Sequence, residues 1–164
     1  MKALSQGALA TYERDGILFP IPVLSKKETA RFRGAYNSFC EQLGARPNAA
    51  QSRNPHLFHR WAYDLATHAR VLDAVEQIIG PNWSMAQTRM TRRSRASVFA
   101  VRYVAPSVRQ CVAKVPTVLA RGRDEQGYFE SVPSPPVYSF DEAITAQAEL
   151  VRRTTEARQR QATS

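Results

Sequence analysis

The sequence predicts an α+β fold, with helices first, two strands after a seam near residues 82–95, and a last helix. Three observations carry that expectation. Apolar residues recur at helical spacing in two stretches, Phe32, Tyr36, Phe39 and Leu43, then Val71, Leu72, Val75, Ile78 and Ile79. Residues 97–104 form a run rich in valine and aromatics, the composition of a strand. Two Ser-x-x-Glu capping boxes, Ser25/Glu28 and Ser139/Glu142, mark helix starts on either side of that run.

Length and composition narrow the class. At 164 residues and 43% hydrophobic content, the chain suits one globular domain with a real core. No apolar run approaches the ~20 residues that a membrane-spanning helix needs. The opening Met1-Lys2-Ala3-Leu4-Ser5-Gln6-Gly7 has no continuous apolar stretch of the secretory kind. Cys40 and Cys111 are too few and too far apart for a disulfide framework, so a reduced, cytoplasmic setting is expected. The net charge of +9 would attract phosphates without specificity. The arginines are mostly scattered, however, and cluster only at 89–95 and 152–160. No aromatic residue interleaves with them to stack on bases, which argues against a nucleic-acid binder and for a solvated basic surface.

In chain order, residues 5–14 predict a short helix stopped at Asp15-Gly16, since glycine accepts the left-handed conformation of a helix stop. Ile17-Leu18-Phe19 reads as a brief strand closed by Pro20 and Pro22. The Ser25/Glu28 box opens a long amphipathic helix ending at Gly44. Residues 45–55 are polar and proline-interrupted, a loop. Residues 56–66 look helical and 69–79 are strongly amphipathic, stopped by Gly80-Pro81. Residues 83–95 show no pattern of their own. After the strand at 97–104, limited by Pro106, residues 115–120 form a second strand candidate, and 121–130 are rich in turns. Pro133, Pro135 and Pro136 make an extended linker. The final helix presents Ile144, Ala148, Val151 and Thr155 on one face, and residues 158–164 should fray.

Several of these elements, taken in order, resemble the phytanoyl-CoA dioxygenase family. They are Asp15-Gly16-Ile17-Leu18-Phe19-Pro20 with Leu24-Ser25-x-x-Glu28, then Asn54-Pro55-His56-Leu57, Trp61-Ala62-Tyr63-Asp64-Leu65-Ala66, residues 71–82, and in the tail Arg102-Tyr103-x-x-Pro106-Ser107-Val108-Arg109-Gln110. The resemblance spans roughly 12–82 and 92–145. It implies an N-terminal helical layer (1–82), a junction (83–96), remnant strands of a double-stranded β-helix or jelly roll with a turn segment (97–136), and a C-terminal helix and tail (137–164). Members of the family hydroxylate small organic substrates with iron(II), O2 and 2-oxoglutarate. Their iron is held by a His-x-Asp pair and a later histidine, a facial triad with open positions.

That triad is missing from the sequence. It contains no His-x-Asp or His-x-Glu, and no histidine follows His68. The resemblance therefore implies a truncated, catalytically dead relative that needs neither iron nor 2-oxoglutarate, with no catalytic and no metal residues. Ser84 and Arg92-Arg93 can be laid on the family's tail, which puts Asn82 where the second histidine belongs. Arg93 is then the remnant arginine for the far carboxylate of 2-oxoglutarate, a bidentate task suited to guanidinium. Counting back from Arg102-Tyr103 favours Arg95 instead, and a solvated basic turn is the plain alternative. His56 and His59, at i and i+3, could share a helix face, but a metal needs at least a third ligand. The plainer reading has them capping or hydrogen-bonding at a helix start. No Ser-His-Asp, Cys-His or phosphate-loop motif offers another chemistry. With the intervening strands gone, strand 97–104 is expected to have two open edges, inviting a partner strand or a second copy of the chain. A non-enzymatic interaction or dimerisation module is the alternative function.

Overall fold

Five helices and a four-stranded sheet make up the computed structural model, which describes residues 4–80, 83–93, 96–104, 116–121, 130–132 and 138–162. The chain is α+β, as the sequence predicts. Helix α1 (Gln6–Asp15) begins where the Ser5 hydroxyl accepts the Ala8 N–H at 3.2 Å. It stops at Gly16, whose φ of 69° only glycine adopts without strain. None of its residues is buried, and Leu4 anchors its start through a 2.7 Å bond from its N–H to Gln77 Oε1.

The strand expected at Ile17-Leu18-Phe19 does not form. No described strand lies alongside to receive its hydrogen bonds, and Ile17 and Phe19 stand 67% and 86% exposed.

Helix α2 (Lys26–Gln42) starts at the predicted capping box. Ser25 Oγ accepts the Glu28 N–H at 3.2 Å, and Glu28 Oε2 accepts the Ser25 N–H at 2.7 Å. Glu28 also lies 3.2 Å from His68 Nε2, so the same carboxylate reaches the start of α4 (Ala69–Ile79). The side chain and backbone N–H of Ser25, followed by His68, hold the Glu28 carboxyl down to about 2. The stabilisation from this depressed carboxyl is complete above the ordinary carboxylate range and is lost as pH falls through about 2. Ser25→Ala is expected to lower stability by about 1 kcal/mol, read from the urea midpoint.

Between α2 and α4 the structure departs from a single helix over 56–66. A 3-10 turn (Pro55–Leu57) is followed by α3 (Arg60–Ala66), with a break at Phe58-His59. The break has a cause in tertiary pairing. Asn54 takes a positive φ of 51° and donates its N–H to the Thr88 carbonyl at 2.9 Å, while Met90 donates to the Ser52 carbonyl at 2.9 Å. The predicted loop therefore includes a bridge, Arg53 opposite Arg89, directly before the 3-10 turn.

Residues 83–93, which lack a sequence pattern, form the central strand β1 (Trp83–Arg93). It pairs antiparallel with β2 (Ala96–Val104) along nearly its whole length. On its other side it meets β3 (Pro116–Arg121) at Trp83, Ser84 and Met85, and the 52–54 segment at 88–90. β3 pairs in parallel with β4 (Glu130–Val132), giving the order β2-β1-β3-β4. Two expectations are thus corrected. Among the described residues there are four strands and not two, and strand 97–104 has a full partner on one side. The polar text of β1 hid it, because its pairing comes from segments distant in sequence.

The core lies between the helical layer and this sheet. Leu57 and Ala66 pack with Phe58, Tyr63, Val101 of β2 and Leu150 of α5 (Phe140–Ala162). The start of α5 follows the predicted box, with the Ser139 N–H donating to Glu142 Oε2 at 2.9 Å. Its buried face is rotated from the expected one. Ala143 and Gln147 are buried and Leu150 and Thr154 half-buried; of the expected residues Ile144 and Val151 are half-buried too, whereas Ala148 and Thr155 are exposed. A buried glutamine at the centre of the face misled the apolar count. Among the described residues no helix is long and apolar enough to cross a membrane.

Candidate functional site

Strand alternation accounts for what residues 88–90 of β1 face. Thr88 and Met90 are buried towards the helical layer, and Arg89 between them is exposed. Behind the sheet, Thr88 Oγ1 lies 2.7 Å from His56 Nδ1, and its N–H donates to Asn54 Oδ1 at 3.3 Å. His56 is only 1% exposed, and burial alone pushes its imidazole down to about 4. The ring is neutral at physiological pH.

His59 occupies the N-cap position of α3 without a side-chain cap bond. Its ring stands edge-on to Phe39 at 4.8 Å and lies tilted against Phe140 at 6.4 Å. Burial lowers its pKa, and an interaction with Gln147 opposes the shift. The two histidines therefore do not share a helix face: one serves the sheet and the other an aromatic cluster. Beside His59, a cleft of about 250 Å³ opens between α2, α3 and the start of α5, walled by Phe39, Phe58, Trp61, Tyr138 and Phe140. That volume is at the small end for a ligand pocket.

Gln147 closes the cluster. Its Nε2 donates to the carbonyls of Gln51 and Arg53, at 2.9 and 2.6 Å. These are the carbonyls that alternation turns away from β1, so the carboxamide stands where a further strand would pair. Neither Gln147 nor Thr88 was legible as a site residue. The available signals were the i, i+4, i+7 spacing of 143, 147 and 150, and the alternation at 88–90.

His56 Nδ1 is committed to Thr88, and the Nε2 atoms of His56 and His59 are buried with no hydrogen-bond partner. Among the described residues no three His, Cys, Asp or Glu side chains come together to hold a metal. The Thr88–His56 contact has the length of a nucleophile–base pair, but at 0% and 1% exposure no substrate reaches it. Arg93 ends β1 opposite Ala96, at the closed end of the hairpin, and Ser84 sits near its start. Arg95, Asn82 and Cys111 lie outside the described residues, as does the Pro133–Pro135–Pro136 linker.

This helical layer on an antiparallel-rich sheet is a fold shared with non-heme monooxygenases. Two solved structures carry the likeness, both of ThoJ. The first, titled a non-heme monooxygenase as its ThoJ–Ni complex, aligns over 95% of this chain and 98% of its own, with a TM-score of 0.69 and 14% identity. The second, the apo form, aligns over 93% and 96% with a TM-score of 0.67 and 14% identity. No protein-family model and no curated protein matches the sequence. At that identity the likeness is one of fold.

Proposed function

We propose that this chain is a catalytically inactive relative of the phytanoyl-CoA dioxygenases, built on their helical layer and a remnant of their jelly-roll sheet. One observation carries the reading. The sequence has three histidines, and each is already employed in or beside the helical layer: His56 on Thr88, His59 in the aromatic cluster, His68 on Glu28. None is left for a His-x-Asp pair or a distal ligand on a strand, and without imidazole ligands 2-oxoglutarate has no iron to chelate. The shared fold with a non-heme monooxygenase supports descent from an oxygenase. Arg93 at the hairpin end is the proposed remnant of a 2-oxoglutarate arginine, with Arg95 as the alternative register.

The test uses the full chain with iron(II), O2 and 2-oxoglutarate. Succinate release should not exceed the protein-free control, and calorimetric titration with iron(II) or nickel(II) should show no stoichiometric site. One equivalent of bound metal together with succinate release would overturn the proposal.

A second reading, an interaction module, is favoured by the strand order. Among the described residues β2 is nine residues long and pairs on one side only. A mass that rises with concentration in sedimentation equilibrium would support it, and a monomer throughout would not.

A further inference from the structure

Two features of the fold match one another: an apolar arm that stands in solvent and an open aromatic cleft. The arm is the stretch between α1 and α2, in which Ile17-Leu18-Phe19-Pro20-Ile21-Pro22-Val23-Leu24 carries neither charge nor a polar side chain. Leu18 and Ile21 are half-buried, whereas Ile17 and Phe19 are 67% and 86% exposed. Moving both side chains out of water is favourable. Pro20 and Pro22 fix φ along the arm, so less conformational freedom is lost when it docks.

The cleft lies between the second half of α2, α3 and the start of α5, walled by Phe39, Phe58, Trp61, Tyr138 and Phe140. Phe39 stands 5.8 Å from Phe140 and 6.0 Å from Trp61 between ring centroids, the spacing at which aromatic rings attract. A cavity of about 150 Å³ suffices for benzene. At about 250 Å³, the cleft admits a phenyl ring and part of a neighbouring aliphatic side chain. Charge agrees with shape. Arg60, on the wall, shares the Asp64 carboxylate with Arg31, at 2.7 and 3.2 Å, one carboxylate for two guanidinium groups. The arm follows Glu13-Arg14-Asp15, two carboxylates for one guanidinium. Opposite imbalances steer the two surfaces together.

The arm's own cleft is at the limit of its reach. The arm enters α2 at Ser25, and Ser38 on the cleft wall lies about 20 Å further along the helix. From Phe19 to Ser25 the chain spans about 20 Å only when fully extended. That course would pull Ile21, Val23 and Leu24 from their half-buried positions. A second copy meets no such limit.

We propose that Ile17 and Phe19 of one copy dock in the aromatic cleft of a second copy, reciprocally, giving a two-fold dimer. A Phe side chain has about 200 Å² to bury, so the arm with Ile17 brings about 300 Å². With a similar area covered in the cleft, two exchanges come to about 1,200 Å², the lower end of stable specific interfaces. The contact lies apart from the β2 edge and does not depend on the loss of oxygenase chemistry.

The experiment is sedimentation equilibrium of the full chain, in which the parent should follow a monomer–dimer equilibrium. F19S, at an exposed position, should raise the dimer dissociation constant about a hundredfold or more, since two phenyl rings are lost per dimer. S38W fills the cleft from an exposed position of α2 and should likewise dissociate the dimer. I79S, at an apolar site outside both surfaces, should change the constant by less than about twofold. Circular dichroism and thermal melts confirm that each variant is folded. Should S38W not fold, Q42W, exposed on the same wall, takes its place.

A dimer that persists in both F19S and the cleft variant would overturn the proposal, tracing association to another surface such as the β2 edge. Loss of the dimer in F19S but not in the folded cleft variant would also overturn it, by seating the arm elsewhere. A monomer throughout would overturn it too, and stoichiometric binding of phenol to that monomer would assign the cleft to a small aromatic ligand.

Discussion

Replacing Gln147 with leucine is expected to destabilise the chain by about 3 kcal/mol, although leucine is the more apolar residue in a buried position. The side chain is 1% exposed, so bulk alone would suggest that a hydrophobic replacement is tolerated. Its Nε2, however, is the donor for two backbone carbonyls, Gln51 and Arg53. Leucine leaves both without that partner. An acceptor stranded away from water loses about 1–3 kcal/mol, and the two carbonyls belong to the segment that pairs with Thr88 and Met90. The effect should therefore propagate to β1. At 2–4 °C per kcal/mol for a chain of this size, the melting temperature should fall by about 10 °C. Gln147→Glu should be worse near neutral pH, because a carboxylate has no proton to offer either carbonyl and is itself costly to bury. Thermal unfolding followed by circular dichroism decides the matter. A Gln147→Leu variant as stable as the parent would show that the carboxamide does not hold the 51–54 segment.

Acidification gives the second large effect. His56 has its imidazole held down to about 4 by burial, against an ordinary value of 6.5. Between those two pH values the unfolded chain binds a proton at this residue and the folded chain does not. Stability is therefore complete above 6.5 and declines as pH falls towards 4, below which His56 contributes no further loss. The 2.5-unit interval corresponds to roughly 3 kcal/mol at 1.36 kcal/mol per unit. His59, lowered in the same direction, adds to the slope. Glu28 acts at lower pH, since its carboxyl titrates only at about 2. Urea unfolding at a series of pH values measures the sum. His56→Asn can keep a polar atom near Thr88 but cannot take up the proton. It should be less stable at pH 7 and lose most of the slope between 6.5 and 4. A variant with the parental slope would mean that His56 is not the group responsible.

Both effects arise at residues whose role depends on distant partners, and the same division runs through the fold. The starts of α2 and α5 were legible because a capping box is local: a hydroxyl and a carboxylate three residues apart satisfy each other's backbone donors. The amphipathic α4 was legible because its own periodicity states which side turns inward. The stop at Gly16 needed only the residue's freedom to take a positive φ. The missing His-x-Asp pair is likewise a property of the sequence alone.

Tertiary structure decided what depends on pairing. β1 has little local signal, and becomes a strand because β2, β3 and the 52–54 segment pair with it from three places in the chain. The helix expected over 56–66 breaks because Asn54 and His56 are drawn to Thr88, more than thirty residues away. The face of α5 turns because a glutamine, polar and so counted as outward, finds two carbonyls and is buried with them. Local hydrogen bonds and periodicity can be read from neighbours in the chain. Register and buried polar partners are set by contacts whose free energy exists only after the chain has folded.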